Sequence, residues 1–509
     1  MNPSNPSRKI PSVMFSQHPD HAQKPYWHKR ELIKTHDELK ECFLMFKELG
    51  AHEVMWDWEG KLVDEAVIER LLGKYTDFFK TNQIGKEIFL TFRVPNPRVE
   101  SGYRLGRAFM VILSGQDISH LAGFSSSPLF EVILPMTESA EELINIQKSF
   151  SKIAGTVNDT FGPSKASPLR RGASQNMIEI IPIFESVQTI LTSGEIVKKY
   201  AKLYEQQFKQ KLPYLRPFCA RSDPSLNSGI VPTTLAIKWA LSEYSKITSE
   251  TGIPMYPIIA PGTLPFRGGL TPETFEAFLK EFAGVRTLVI QSAFRYDFPI
   301  RLVKNAIKKI SRTIGKLETQ PLSKNILEEI KLLIPWFEAP YQQAIEKIAP
   351  LIAKISSFIP QRRERVQHIG LFGYSREVGK VKLPRAIGFT ASCYCLGIPP
   401  ELIGTGQGLK KAKLEGKLAL LEFLYLELRS SLLQAGRFFR KESLKELKLE
   451  WLEEDIKGVE EYLGEKLGPK TKEEKKHARI VSKIIEKLNK GQNPQKEIEQ
   501  AAILRHGLG

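Results

Sequence analysis

MIEIIPIFES at residues 177–186 and RPFCARSDP at residues 216–224 decide how this chain is read. Each is a short apolar run that closes on charge, the first at Glu185 and the second at Arg221 and Asp223. Near-continuous apolar runs suit parallel strands buried on both faces, and the helical stretch between these two suits a right-handed crossover. Similar runs begin near Glu53 (EVMWDW), Ile88 (IFLTFRV), Phe130 (FEVILPM), Met255 (MYPIIAP), Arg286 (RTLVIQSA) and His368 (HIGLFGY), making eight in all. Eight strand–helix units predict an α/β fold: a (β/α)8 TIM-type barrel with additional helices, mainly C-terminal. An open doubly wound sheet is the alternative.

The polar residues lie where such a barrel keeps its chemistry. The runs close on Asp57 and Glu59, Arg93, Glu185, Arg221 and Asp223, Arg267, Gln291 and Arg295, and Tyr374 and Arg376. Strand ends converge at the C-terminal mouth, where barrel active sites sit. One arginine at a strand end is ordinarily a surface residue, whereas several converging ones describe a site for an anion.

The 509 residues, 42% of them hydrophobic, exceed one compact domain of usual size and suffice for a real core. They are expected to form a single catalytic unit over 1–509, with the barrel at 13–400, a helical insertion at about 299–360 and a C-terminal helical region at 401–509. The net charge of +17 fits nucleic acid, an acidic membrane or a phosphorylated metabolite, but much of it is lysine on mixed Glu/Lys helices that read as solvated faces. There is no RNP, zinc-finger or KH-type signature, so no nucleic-acid partner is expected. GTGQG at 404–408 lacks the preceding strand and the spacing of a dinucleotide fingerprint. Cys42, Cys219, Cys393 and Cys395 form neither a zinc pattern nor a disulfide framework, and reduced buried thiols are expected. No stretch approaches the ~18 consecutive apolar residues of a membrane span, and residues 1–12 lack a signal peptide's apolar core. A soluble, cytoplasmic protein without a membrane partner is therefore expected.

Glu185 and Asp223, from consecutive strand ends, make a partial oxygen shell for Mg²⁺ (Mn²⁺ possible), which takes one or two carboxylates and completes six ligands with water and substrate. The competing role for Asp223 is an ion pair or helix cap, since Ser-Asp-Pro readily opens a helix. Arg267 stands before Gly268 and Gly269, which let backbone approach an anion, and a helix start follows. His18, before a proline, has the ordinary pKa of a general base, although a lone histidine is more often structural. Arg385 falls at the start of an apolar helix, where a cation opposes the helix dipole unless an anion is near.

These stretches together resemble the archaeal-type phosphoenolpyruvate carboxylases, a short branch of that family. The resemblance runs in order through SQHPDHA, EVMWDWEGK, FLTFRVPNP, EVILPM, IIPIFES, RPFCARSDPSLNSG, LPFRGGLT, QSAFRYD, IGLFGYSR and LPRAIGFTA. His18 is similar to the histidine of the long branch's Ala-His-Pro motif, Glu185 and Asp223 to its metal pair, and Arg267 and Arg385 to its substrate arginines. Arg93 is a looser match to a phosphate-contacting arginine. The resemblance implies carboxylation of phosphoenolpyruvate by bicarbonate to oxaloacetate and phosphate, through carboxyphosphate and a Mg-stabilised enolate of pyruvate. It implies His18, Arg267 and Arg385 as catalytic residues, Arg93, Arg221, Gln291 and Arg295 as substrate-binding residues, and a homotetramer. Two departures stand: one arginine-glycine-glycine loop is present instead of two, and the long branch's lysine falls at Leu226. Either another cation, Arg221 or Arg295, takes over that lysine's contacts, or bicarbonate and phosphate are held differently. The rival readings are another Mg-enolate barrel, a lyase or mutase of phosphoenolpyruvate or pyruvate, and a basic RNA-binding scaffold.

Overall fold

Apolar alternation closes eight parallel strands into a barrel in the computed structural model, which describes residues 9–59, 62–124, 126–161, 177–364, 376–378 and 381–509. In order they are β1 (Val13–Phe15), β2 (Glu53–Asp57), β3 (Phe89–Arg93), β4 (Glu131–Leu134), β5 (Glu179–Phe184), β6 (Phe218–Ala220), β7 (Ile258–Ala260) and β8 (Thr287–Ile290). Each pairs with its sequence neighbour, and β1 closes the ring on β8 with Val13 opposite Leu288 and Phe15 opposite Ile290. The open-sheet alternative is excluded.

The expected count of eight holds with a different first member. The sequence reading missed β1, because three apolar residues behind Pro11 are too short a run to declare a strand. The stretch read as a strand near His368 lies outside the described residues. The barrel strands thus end at Ile290, well short of residue 400.

Period-two alternation sorts the strands' side chains. Met14, Met55, Ile133, Ile181, Ile183, Phe218, Ala220, Ile258, Ala260 and Val289 fill the barrel interior as one buried cluster. Their neighbours Val13, Phe15, Val54, Ile180, Phe184 and Cys219 pack outward in the main core. At the mouth end the interior residues of β6 and β7 are alanines, and that economy of side chain leaves space for a cavity.

Beyond β8 the expected insertion is two α-helices, Ile300–Thr313 and Lys324–Ser356, with a single 3-10 turn after the first. The second runs 33 residues and packs along Ile230–Thr251, and its Tyr341 hydroxyl donates to Leu226 O at 2.8 Å. Leu226, where the long branch carries lysine, is fully buried. A short antiparallel pair, Arg376–Val378 with Val381–Leu383, precedes the helix Ala386–Cys395 and the helical layer that follows. The four cysteines are free and buried. No single helix among the described residues is long and apolar enough to cross a membrane.

Candidate active site

The mouth of the barrel encloses a cavity of about 170 Å³ lined by His18, Arg93, Glu185, Arg221, Asp223, Arg267, Gln291 and Arg385. Eight of the nine residues singled out from sequence therefore meet around one space, seven brought there by the ends of barrel strands or the segments after them and Arg385 by the start of the Ala386–Cys395 helix.

Arg93, the last residue of β3, is gripped by acids from β2. Its Nε and Nη2 donate to the two oxygens of Asp57 at 2.9 and 2.7 Å, and Nη1 pairs with Glu59 Oε2 at 2.8 Å. Burial opposes the charge, yet Asp57 and Glu59 overcome it and hold the guanidinium above its ordinary pKa. Gln17 supports this corner by accepting from Asp57 N at 3.0 Å. Arg385, the N-cap of the Ala386–Cys395 helix, donates Nη2 to Glu59 Oε1 at 3.1 Å. Glu59 is thus the anion that offsets an otherwise unfavourable cation at a helix start, and it bridges two arginines.

Arg267 lies in the 3-10 turn Pro265–Arg267 that follows β7 and is 1% exposed. Nε donates to Ser222 Oγ at 3.0 Å, Nη1 to Asp20 Oδ2 at 3.1 Å and to Gly509 O at 2.5 Å, and Nη2 to Gln291 Oε1. Four of its five N–H donors are engaged, so the group is fixed in place with one Nη2 hydrogen left over. Burial lowers its pKa, and Asp20 and Asp223 partly restore it. The two glycines after it meet a strict requirement. Gly268 has φ of 121°, and a Cβ there would lie 2.6 Å from Pro261 Cβ.

His18 follows β1 by three residues, and its Nδ1 faces Ser16 Oγ at 2.8 Å. Burial, then Arg93, with Arg267 and Arg385 adding, hold its pKa well below the ordinary value against the opposing pull of Asp57. The imidazole is therefore neutral near pH 7, the state a proton acceptor requires. Glu185 follows β5, and its Oε1 accepts from Met136 N at 3.3 Å. Asp223 sits in the first turn of the helix Ser222–Ser228, whose N-cap is Arg221, so it is not itself the cap.

Arg295 does not reach the cavity. It is fully buried on Ser292–Tyr296, donating Nη1 to Ser16 O and Ile290 O at 2.9 Å each and pairing with Glu41 at 3.3 Å. Its plane lies over the rings of Phe15 and Tyr296. It fastens the end of β1 to the end of β8, so the structure does not bring the expected substrate-binding Arg295 to the cavity with Gln291. Arg221 lines the cavity but turns its donors to Ser225 Oγ, Phe266 O and Thr234 Oγ1, supporting the Arg267 turn from behind. Sequence reasoning missed Gln17, Asp20 and Ser222, each adjacent or nearly so to a residue it named. The density of polar side chains in SQHPDHA was the available signal for Gln17 and Asp20.

Whether a divalent cation fits can be judged from the donors. Among the described residues no group of three or more His, Cys, Asp or Glu is arranged to hold a metal. Glu185 and Asp223 both line this cavity, and two carboxylates are the kind of oxygen-only partial shell that a hard ion sharing its coordination with water and substrate takes. The residues fit Mg²⁺ better than they fit zinc, which asks for nitrogen or sulfur.

Guanidiniums pinned on acids beside a neutral histidine, at the C-terminal mouth of a (β/α)8 barrel, define an enzyme of small anionic substrates. A family model described as phosphoenolpyruvate carboxylase matches residues 10–509. The chain is 38% identical to a phosphoenolpyruvate carboxylase of Oenococcus oeni over 99% of both chains. It is 37% identical to that of Metallosphaera sedula over 99% of this chain and 100% of the relative, and 37% identical to that of Pyrococcus horikoshii over 88% and 92%. The chain belongs to the phosphoenolpyruvate carboxylase family of enzymes, in its archaeal-type branch.

Proposed function

We propose that this chain carboxylates phosphoenolpyruvate with bicarbonate, giving oxaloacetate and phosphate. The observation that carries the reading is the meeting of His18, Glu185, Asp223, Arg267 and Arg385 around one cavity in a chain that matches the family along its length. Arg93, Arg267 and Arg385 are the groups that neutralise phosphate and carboxylate, arginine being suited by its fork of donors. With Arg267 already tied to four partners, the substrate meets a fixed cation and not one it must order for itself.

In the reaction proposed, a bicarbonate oxygen attacks phosphorus and the bond from phosphorus to the enol oxygen breaks. Carboxyphosphate and the enolate of pyruvate result. Neutral His18 takes the proton from carboxyphosphate, which separates into phosphate and CO₂, and the enolate methylene carbon attacks that CO₂. Glu185 and Asp223 are the residues that would hold Mg²⁺ or Mn²⁺, and the bound ion supplies Lewis-acid stabilisation of negative charge on the enol oxygen. The apolar walls from Met55, Ile183 and Phe218 restrict water, which would otherwise protonate the enolate. The assembly proposed is a homotetramer, supported by Tyr103, Met110 and Leu121 standing exposed along one helix. Light scattering should return four times 57.8 kDa.

The test is an assay for oxaloacetate with and without bicarbonate. Oxaloacetate and phosphate should form together and only with bicarbonate; phosphate release indifferent to bicarbonate would favour a lyase or mutase. Glu185→Gln and Asp223→Asn should each abolish turnover with the circular-dichroism spectrum unchanged. His18→Asn should go on releasing phosphate while oxaloacetate fails to form.

A further inference from the structure

A carboxylate that no step above uses lies behind the mouth, between two of its arginines. Glu401 sits in the 3-10 turn Pro400–Leu402 and is fully buried. Its Oε1 accepts from Phe266 N at 2.6 Å and from the Tyr394 hydroxyl at 2.7 Å. Phe266 immediately precedes Arg267, and Tyr394 is in the last turn of the helix that begins at Arg385. One oxygen atom therefore ties the element that carries Arg267 to the element that carries Arg385.

Neither bond is incidental. A short 3-10 turn leaves its early N–H groups without partners in the turn, and the Phe266 amide is buried. The carbonyl of the same residue accepts from Arg221 Nη1 at 3.3 Å, so Phe266 is held from both sides of its backbone. Its ring packs on Phe389, of the Ala386–Cys395 helix, at 5.5 Å between centroids. The geometry points to Glu401 as a positioning residue: by joining Phe266 N to the Tyr394 hydroxyl, its carboxylate sets the separation of Arg267 and Arg385, and with it the span of phosphorylated carboxylate that the two arginines take together. The inference rests on the reading of those arginines as substrate-binding.

Glu401 also gives this span a chemical handle. Its second oxygen, Oε2, is buried with no hydrogen-bond partner, which leaves room for a proton. Burial raises its pKa to about 7, against the lowering effect of Tyr394, the Phe266 amide and Arg221. The titratable groups facing it are Arg221 from the β6 turn, Tyr394 and Cys393 from the Ala386–Cys395 helix and Tyr341 from the long helix. The thiol and phenols among them are pushed upward by burial, so Glu401 is the member of this set that titrates near neutrality. Protonation weakens the oxygen as an acceptor, so the clamp loosens as pH falls through about 7.

The experiment compares wild type with Glu401→Gln and Glu401→Leu between pH 6 and 8, reading kcat and KM for phosphoenolpyruvate and the Kd of phosphoglycolate, a phosphorylated carboxylate that does not react. Glu401→Gln keeps an acceptor oxygen and removes the titration, so its KM and Kd should lack the weakening that wild type shows on acidification. Glu401→Leu removes the acceptor and should raise KM at pH 8 by about tenfold with kcat changed far less. If Glu401→Gln follows the wild-type pH curve in both KM and Kd, or if a folded Glu401→Leu keeps the wild-type KM, the positioning role is overturned. Should Glu401→Leu fail to fold, the Gln comparison decides alone. Wild-type carboxylation at pH 8 reports on the proposed function, and the Kd series reports on Glu401 without turnover, so the two failures are told apart.

Discussion

Arg267 and Arg295 show how differently the same side chain is used a few ångströms from one mouth. Both are buried and both are held by several bonds, but Arg267 lines the cavity, whereas Arg295 lies outside it and turns its Nη groups to the carbonyls that end β1 and β8 and to Glu41. Arg295→Ala should therefore cost stability and spare substrate affinity. Removing one member of a buried pair is worth about 3–5 kcal/mol, and the Glu41 carboxylate, still held by Arg363 and the Tyr296 hydroxyl, brings the loss toward the lower figure. Urea unfolding should show the loss, while KM for phosphoenolpyruvate in the folded fraction stays within about twofold of wild type. A large KM change without loss of stability would return Arg295 to the substrate.

Among the elements, the turn after β7 is the one on which most depends. Gly268 takes a φ that side chains avoid and has Pro261 where its Cβ would go, so Gly268→Ala must shift the turn. The shift reaches Arg267 directly, and KM for phosphoenolpyruvate should rise by about tenfold or more, while a melting curve registers a smaller loss than Arg295→Ala gives. The same turn marks what a sequence reveals. The strand pattern, the arginine and its glycines were legible, because apolar alternation and glycine punctuation are local signals. Long runs such as EIIPIF declared themselves; VMF, three residues long, did not, although it supplies the strand that precedes His18. Glu401 was invisible for a different reason. Its importance comes from joining a partner far away in sequence, Phe266, to one across a helix end, Tyr394, and nothing in PPEL hints at either. That Arg295 stands off the cavity was not legible because the partners that hold it, Ser16 O and Glu41, are far away in sequence.

Over the whole molecule, the two ends of the barrel divide the labour. The floor carries a buried charge cluster in which Arg216 donates to Glu131 Oε2 at 2.6 Å and to Glu53 Oε2 at 2.6 Å, with Thr287 at 3.2 Å, joining the starts of β2, β4 and β8 ahead of β6. The mouth carries the cavity. Conservation of function at one end and stability at the other is the usual division in this fold. Arg216→Met should lower unfolding free energy by about 3–5 kcal/mol, since it leaves two buried carboxylates without their cation. In contrast to the mouth variants, the protein that remains folded should show wild-type KM. Closure adds a constraint of its own. β1 has no barrel partner on one side until β8 exists, and Leu508 N donates to Asp20 O at 2.7 Å beside the histidine turn. With residues added at about 5–20 per second, the histidine segment is made well before β8 and Leu508, so these two neighbours reach it late. A chain that stops before β8 carries His18 without the strand that closes the barrel beside it, and such incomplete products should be silent and not run half of the reaction.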